Sequence, residues 1–264
     1  MNKLDLSASS PARSDEGLKS LVKVVRVLDT FSRTDRSLSL AEICQRTGYP
    51  KSTTHRLLSS MREAGLLDQD QNRDRYRLGL KLYALGNTVL ANMDLHREAR
   101  PYVDALGRLT DQIVHLAVFD GRHAVVIGKS ESQIDATSSA FLESAPAHCT
   151  SVGKAILAYQ PDTVVDTFVV AGLARFTDTT LTDVAALKHD LVLTRGRGYA
   201  IDQAEHQPGL HCVGAPIRDL AGRVFAAISV SGPAWKMPLA EVDGVAKIVI
   251  HHAEAISRAL GHRS

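Results

Sequence analysis

Between Leu18 and Leu78, three amphipathic helical stretches and a basic hairpin follow one another in a fixed order. That order constrains the fold more than any other feature of the chain. "LKSLVKVVRVLDTF" puts Leu21, Val24, Val25, Leu28 and Phe31 at helical spacing on one face. "SLSLAEICQRTG" predicts a second helix capped by Ser39 or Ser37. Glu42 stands three residues after Ser39, as in a capping box, Leu40, Ile43 and Cys44 face inward, and Gly48 is the stop. "YPKSTTHRLLSSMREAGLL" predicts a third helix with Pro50 in its first turn. Thr54, Leu57, Leu58 and Met61 form its inner face and Gly65 ends it. "LLDQDQNRDRYRLG" then reads as two short strands around a polar tip at 69–74. Two short helices joined by a tight turn, followed by a hairpin, are the grammar of a winged helix-turn-helix.

Charge agrees with a nucleic-acid partner for this part. Residues 1–78 hold 14 Lys/Arg against 10 Asp/Glu, a local +4, whereas the whole chain is only +2. The outer face of the third helix carries Lys51, Ser52, Thr53, His55 and Arg56. Hydroxyls and free amides at a helix start suit phosphate, and His55 or Arg56 suit base edges in the major groove. The hairpin adds Arg73, Arg75 and Arg77 as expected backbone or minor-groove contacts.

At 264 residues, two domains are expected. No apolar run approaches bilayer length, and "MNKLDLSASSPARSDEG" lacks the apolar core of a signal peptide, so it reads as a disordered polar tail. Three widely spaced cysteines without a CxxC pair signal neither a disulfide framework nor a zinc ribbon, and a reducing cytoplasm is the natural compartment.

Downstream, "LGLKLYALGNTVLANMDLHREARPYVDALGRLTDQ" carries Leu80, Leu82, Tyr83, Leu85, Val89, Leu90 and Met93 at helical spacing. Pro101 is expected to break or restart the helix, with a second helix over Tyr102 to Leu109. The first of these helices has more apolar surface than a linker needs, which suits packing on a second subunit or on its own downstream domain. "IVHLAVFD" and "HAVVIGKS" around Asp120-Gly121-Arg122 form one predicted hairpin, and "HCVGAPIRD" with "RVFAAISVSG" a second. Helices are expected at Val152–Tyr159, Asp162–Val170, Asp183–Thr194 and Leu239–Leu260, and a strand at "GYAID". Hairpins with separate helices predict an α+β domain built on an antiparallel sheet.

"AHCTSVGKAILAY", Ala147 to Tyr159, invites chemical readings. A P-loop needs a glycine where His148 stands and a hydroxyl residue where Ala155 stands, so it fails. A Cys149–His148 nucleophile has only sequence adjacency, and adjacent strand residues point to opposite faces. No spacing of His148, His206, His211 and the cysteines fits a zinc site. What remains is a ligand pocket at a helix start, where Thr150 or Ser151 and the N–H groups of Val152 and Gly153 suit a carboxylate. Lys154 reads as a solvated or ion-paired side chain.

"SLVKVVRVLDTF", "LSLAEICQRTGYPKSTTHRLLSSMREAGLL", "YRLGLKLYALG", "AHCTSVGKAILA" and "GYAIDQAEHQPGLHCVGAPIRDLAGRVFAAISVSGP" together resemble the IclR family of bacterial transcriptional regulators, from Leu18 to about Pro233. The resemblance implies a winged helix-turn-helix followed by a GAF-like effector domain. It implies ligand contacts at Ser151, Val152, Asp202, Cys212, Ser229 and Ser231, to which His148 and His211 are added as plausible neighbours. Thr54 stands where the family often has an aliphatic residue. Ala204-Glu205 replaces a frequent acidic pair, with an expected effect on rim charge. His211 replaces a frequent basic residue and carries the expectation of pH-sensitive binding.

The expected organisation is a tail over 1–16, a DNA-binding domain over 17–78, a linker helix over 79–98 and an effector domain over 99–264. The expected function is a cytoplasmic regulator of a catabolic operon. It binds double-stranded operator DNA as a homodimer or a dimer of dimers, and senses a small organic acid (a sugar, oxo or aromatic acid). No catalytic residue, metal, cofactor or membrane partner is implied. The alternative is a thiol- or histidine-dependent enzyme using the helix-turn-helix as an interaction module.

Overall fold

A computed structural model describes residues 12–32, 34–70, 75–91, 93–130 and 144–263. The chain divides into two compact units, one ending at Val89 and one starting at Leu90.

In the first unit, α1 spans Ala12–Leu28, α2 Leu40–Thr47 and α3 Lys51–Glu63. Helix α1 begins before Leu18, so residues 12–16 are helical rather than part of a tail. Its buried anchor is Val27, whereas Leu21 and Val25, expected inward, are exposed. Ser39 caps α2: its Oγ accepts the Glu42 N–H at 3.3 Å, and Glu42 Oε2 accepts the Ser39 N–H at 2.6 Å. Gly48, at φ +73°, closes α2 in the left-handed region that glycine enters without penalty. Pro50 is the residue just before α3, one position earlier than expected. Strands β1 (Leu38–Ser39), β2 (Leu67–Gln69) and β3 (Arg75–Leu78) form a small antiparallel sheet in the order β1-β3-β2. The two-residue β1 is too short to leave a periodic signal. Val27, Leu38, Ile43, Leu58, Met61, Leu67 and Tyr76 make the core. Cys44, expected inside, is only half-buried. Helix α4, Leu80–Ala91, closes this part of the chain and exposes Leu80, Tyr83, Leu85 and Val89.

The second unit opens with α5, Asp94–Thr110. Pro101 lies inside it and does not break it. Pro101 and Arg97, whose carbonyl would lose its N–H partner, are both exposed, so water can satisfy the orphaned carbonyl. Leu95 and Ala99 are core residues, so the connecting segment ends before 98. Strands β4 (Ile113–Phe119), β5 (His123–Lys129), β6 (Ser144–Pro146), β7 (Ala200–Gln203), β8 (Leu210–Arg218) and β9 (Val224–Pro233) form an antiparallel sheet ordered β6-β5-β4-β9-β8-β7. Among them only the short β6 was not expected.

Strand parity divides this sheet into two faces. Val114, Leu116, Val213, Ala215, Ile228 and Val230 pack under α5 and α9, the latter spanning Val242–Ala259 after a short 3-10 turn. The opposite face carries Ala117, Ala200 and Ala227 against α6, Ser151–Leu157. Helices α7, Asp162–Ala171, and α8, Val184–Arg197, pack outside α6 through Val165, Leu187 and Leu191. This is an α+β, GAF-like layering, and the small side chains of the second face let α6 approach closely.

Candidate effector site and nucleic-acid interface

Register aligns the polar residues of the α6 face in two rows across the sheet. In one, Asp202 of β7 faces Cys212 of β8, and Cys212 faces Ser231 of β9. In the next, Gly214 of β8 faces Ser229 of β9, Ser229 faces His115 of β4, and His115 faces Lys129 of β5. Directly opposed side chains start about 5 Å apart, so each row is a set of neighbours. Asp202, Cys212, Ser229 and Ser231 are all buried. Cys212 stands between Asp202 and Ser231 in register, and Ser231 Oγ lies 3.3 Å from His115 Nδ1.

The start of α6 is seated on the second row. A Cβ on Gly214 would come within 2.7 Å of the Ser151 carbonyl, and one on Gly153 within 2.4 Å of Ala147 Cα. Only glycine permits both approaches. Ser151 and Val152 are thereby held against the polar rows. Thr150 is the cap, and its Oγ1 takes the Gly153 N–H at 3.3 Å, so that group is no longer open to a ligand as expected.

Burial pushes the Asp202 carboxyl up to about 6, against the Glu205 N–H that it accepts at 2.8 Å. Burial, then the Lys129 charge, lowers His115 to about 4, so its ring is neutral. Burial likewise pushes the Cys149 and Cys212 thiols up, opposite to what a nucleophilic thiolate requires.

Lys154, expected to be solvated or paired, is fully buried and paired. Its Nζ lies 2.5 Å from Glu205 Oε1 and 2.9 Å from Asp190 Oδ2. Burial opposes its charge, but Glu205 and then Asp190 outweigh it and hold the ammonium above its ordinary range. Glu205 is therefore a buried partner of α6 and not part of a rim. The Gly-Lys pair of the motif has two structural jobs, close packing at Gly153 and a buried ion pair at Lys154.

Two expected ligand residues lie elsewhere. His211 is one residue out of phase with Cys212, so it belongs to the other sheet face, where its Nδ1 donates to the Met237 carbonyl at 2.9 Å. His148 sits in the turn before α6, and its Nε2 donates to the Ala174 carbonyl at 2.9 Å. Conversely, His115 was overlooked. Its signal was the alternation of "IVHLAVF", which puts it in phase with the small residues of the α6 face. Among the described residues no group of three or more His, Cys, Asp or Glu is arranged to hold a metal ion.

In the first unit, Lys51, Ser52, His55 and Arg56 are exposed and Thr53 half-exposed along α3. No side chain caps α3, which leaves the N–H groups of its first turn open to an anion. The hairpin arginines are engaged otherwise. Arg75 bonds Ser37 and Glu42, and Arg77 pairs with Asp68 across the sheet at 2.6 Å. Arg73 lies outside the described residues.

The comparisons with known proteins agree with both halves. Residues 20–71 match the IclR helix-turn-helix domain, and residues 87–258 the family described as bacterial transcriptional regulator IclR C-terminal. The HTH-type transcriptional regulator XynR of Escherichia coli is 32% identical over 247 residues, covering 93% of this chain and 98% of XynR. The crystal structure of an IclR-type regulator from Silicibacter sp. TM1040 superposes with TM-score 0.82 at 23% identity, over 92% of this chain and 97% of that one, a likeness of fold. An IclR homologue from Microbacterium hydrocarbonoxydans, complexed with 4-hydroxybenzoate, superposes with TM-score 0.76 at 25% identity, over 91% and 98%. Among the described residues no helix is long and apolar enough to cross a membrane. With a winged helix-turn-helix, a GAF-like domain and both family matches in place, the chain belongs to the IclR family of bacterial transcriptional regulators and is a ligand-responsive, DNA-binding regulator, not an enzyme.

Proposed function

We propose that this regulator senses a small organic acid on the α6 face of its second unit and thereby controls a catabolic operon in the cytoplasm. The observation that carries this reading is the row Asp202–Cys212–Ser231 beside Ser229, buried under the start of α6. A few convergent polar groups in an apolar surround fix a ligand's orientation. A raised Asp202 can share a proton with an acid, where an ordinary carboxylate would repel it. The Microbacterium homologue's 4-hydroxybenzoate is an acid of this general kind. The exposed face of α3, Lys51, Ser52, Thr53, His55 and Arg56, docks in the major groove of the operator.

Leu80 and Tyr83 on one side of α4, and Leu85 and Val89 on the other, leave exposed apolar surface that suits a second copy of the chain, as a dimer or a dimer of dimers. Sedimentation of Tyr83→Glu against the parent tests it; unchanged mass would sink the α4 contact.

The effector reading is tested by thermal shift of the full chain with pyruvate, glycolate, gluconate and 4-hydroxybenzoate. At 100 times Kd a ligand stabilises by about 2.7 kcal/mol. At least one acid is expected to shift the parent and not Ser231→Val. If none does, or if Ser231→Val responds to every one of these acids as the parent does, the sheet-face site is wrong.

A further inference from the structure

His148 lies apart from the sheet-face row and lines a cleft of about 450 Å³. The cleft lies between the β4–β5 turn, the turn after β6, and the end of α7. That volume suits a single-ring compound. Its walls are aromatic. The ring centroid of Phe176 is 6.0 Å from that of His148, Phe168 forms another side, and Phe168 is itself backed by Phe119 at 6.4 Å. Phe176 is 45% exposed, so its ring is open to an occupant of the cleft.

Charge selects the occupant. Among the described residues no Asp or Glu lines the cleft, while Arg122 and His123 stand at its edge. His123 leans toward the Asp120 carboxylate at 3.9 Å, but the Arg122 guanidinium makes no hydrogen bond or ion pair to a described residue. A guanidinium without a partner prefers a carboxylate, which it grips with two parallel N–H donors. His148 adds a polar group of known sense. Its Nε2 must donate to the Ala174 carbonyl, so in the neutral ring Nδ1 is left as an acceptor.

We infer that this cleft is a second small-molecule site, distinct from the sheet-face cluster, and that it takes a monocyclic aromatic carboxylate. The carboxylate pairs with Arg122, and the ring lies against Phe168, Phe176 and His148.

Calorimetric titration of the full-length protein with sodium benzoate tests this, with Ser231→Val as the background that disables the sheet-face cluster. A saturable event is expected to survive in that background. Arg122→Gln, at an exposed position, is expected to weaken it at least about tenfold, the equivalent of one lost charge-assisted contact. Cyclohexanecarboxylate, with the same charge and no aromatic face, is expected to bind several-fold more weakly than benzoate, and Phe176→Leu to erase that difference. Far-UV circular dichroism confirms that both variants fold. Three results overturn the assignment: no saturable benzoate binding, binding that disappears with Ser231→Val, or an affinity indifferent to either Arg122→Gln or Phe176→Leu.

Discussion

Arg75 of β3 sets its guanidinium on Glu42 of α2, with Nη2 3.1 Å from Oε2, while the same nitrogen donates to the Ser37 carbonyl at 2.6 Å. Glu42 in turn holds the N-cap of α2 through the Ser39 N–H, and its carboxyl is held below the usual range by that bond first and by Arg75 after it. Arg75 therefore ties the base of the hairpin to the start of the helix-turn-helix, and its pairing there competes with any phosphate contact. Arg75→Ala should lower the thermal midpoint of the first unit. The slope of log affinity against log salt should change by clearly less than the roughly 0.9 that one lost phosphate contact gives. A full drop of that size would return Arg75 to the DNA surface.

Arg56 is the contrasting case, exposed on α3 and with no ion pair or side-chain hydrogen bond to a described residue. A bidentate contact to a guanine edge discriminates by about 1–3 kcal/mol. Arg56→Ala is expected to weaken operator binding by that amount and to relax preference at one base position, as measured by competition with single-base operator variants. If the loss is uniform across those variants, Arg56 touches backbone rather than bases.

Lys154 joins three elements, α6 through its own backbone, the turn after β7 through Glu205, and α8 through Asp190. Removing one partner of a buried pair strands the others without water. Lys154→Met should cost about 3–5 kcal/mol in urea unfolding of the second unit. A loss below about 1 kcal/mol would mean that water or a rearranged Arg197, now 3.6 Å from Asp190, compensates the carboxylates.

What the sequence made legible is what local periodicity and short-range chemistry encode. The Ser39–Glu42 box, the Gly48 turn and the two long hairpins were readable because each is fixed by residues a few positions apart. The row Asp202–Cys212–Ser231 was reached through family resemblance, and the physical reason for it is register between three strands, which no local window contains. The same cause explains the misplacements. His211 sits beside Cys212 in the chain, yet one step of strand parity sends it to the other face. Arg75 looked like a hairpin cation because its partner Glu42 is 33 residues away. Pro101 was read by its usual effect, but its exposed position lets the helix continue.

Two buried groups of the sheet-face site titrate with opposite consequences for stability. Asp202 is raised from an ordinary 3.8 to about 6, so the folded protein holds an extra proton there between those values. Its contribution is fully present below about 4 and is lost as pH rises through 6. His115 is lowered from 6.5 to about 4, so the unfolded chain binds the extra proton, and stability rises with pH across that window by up to about 3 kcal/mol. The two effects overlap and largely cancel between pH 4 and 6. Asp202→Asn keeps an oxygen able to accept the Glu205 N–H and removes only the titration. Urea unfolding of Asp202→Asn should therefore show stability falling on acidification from pH 6.5 to 4 more steeply than in the parent. His115→Gln should show the reverse, a protein that gains stability toward pH 4 relative to the parent. Parallel pH profiles for all three proteins would mean that neither group carries its shift in the folded state.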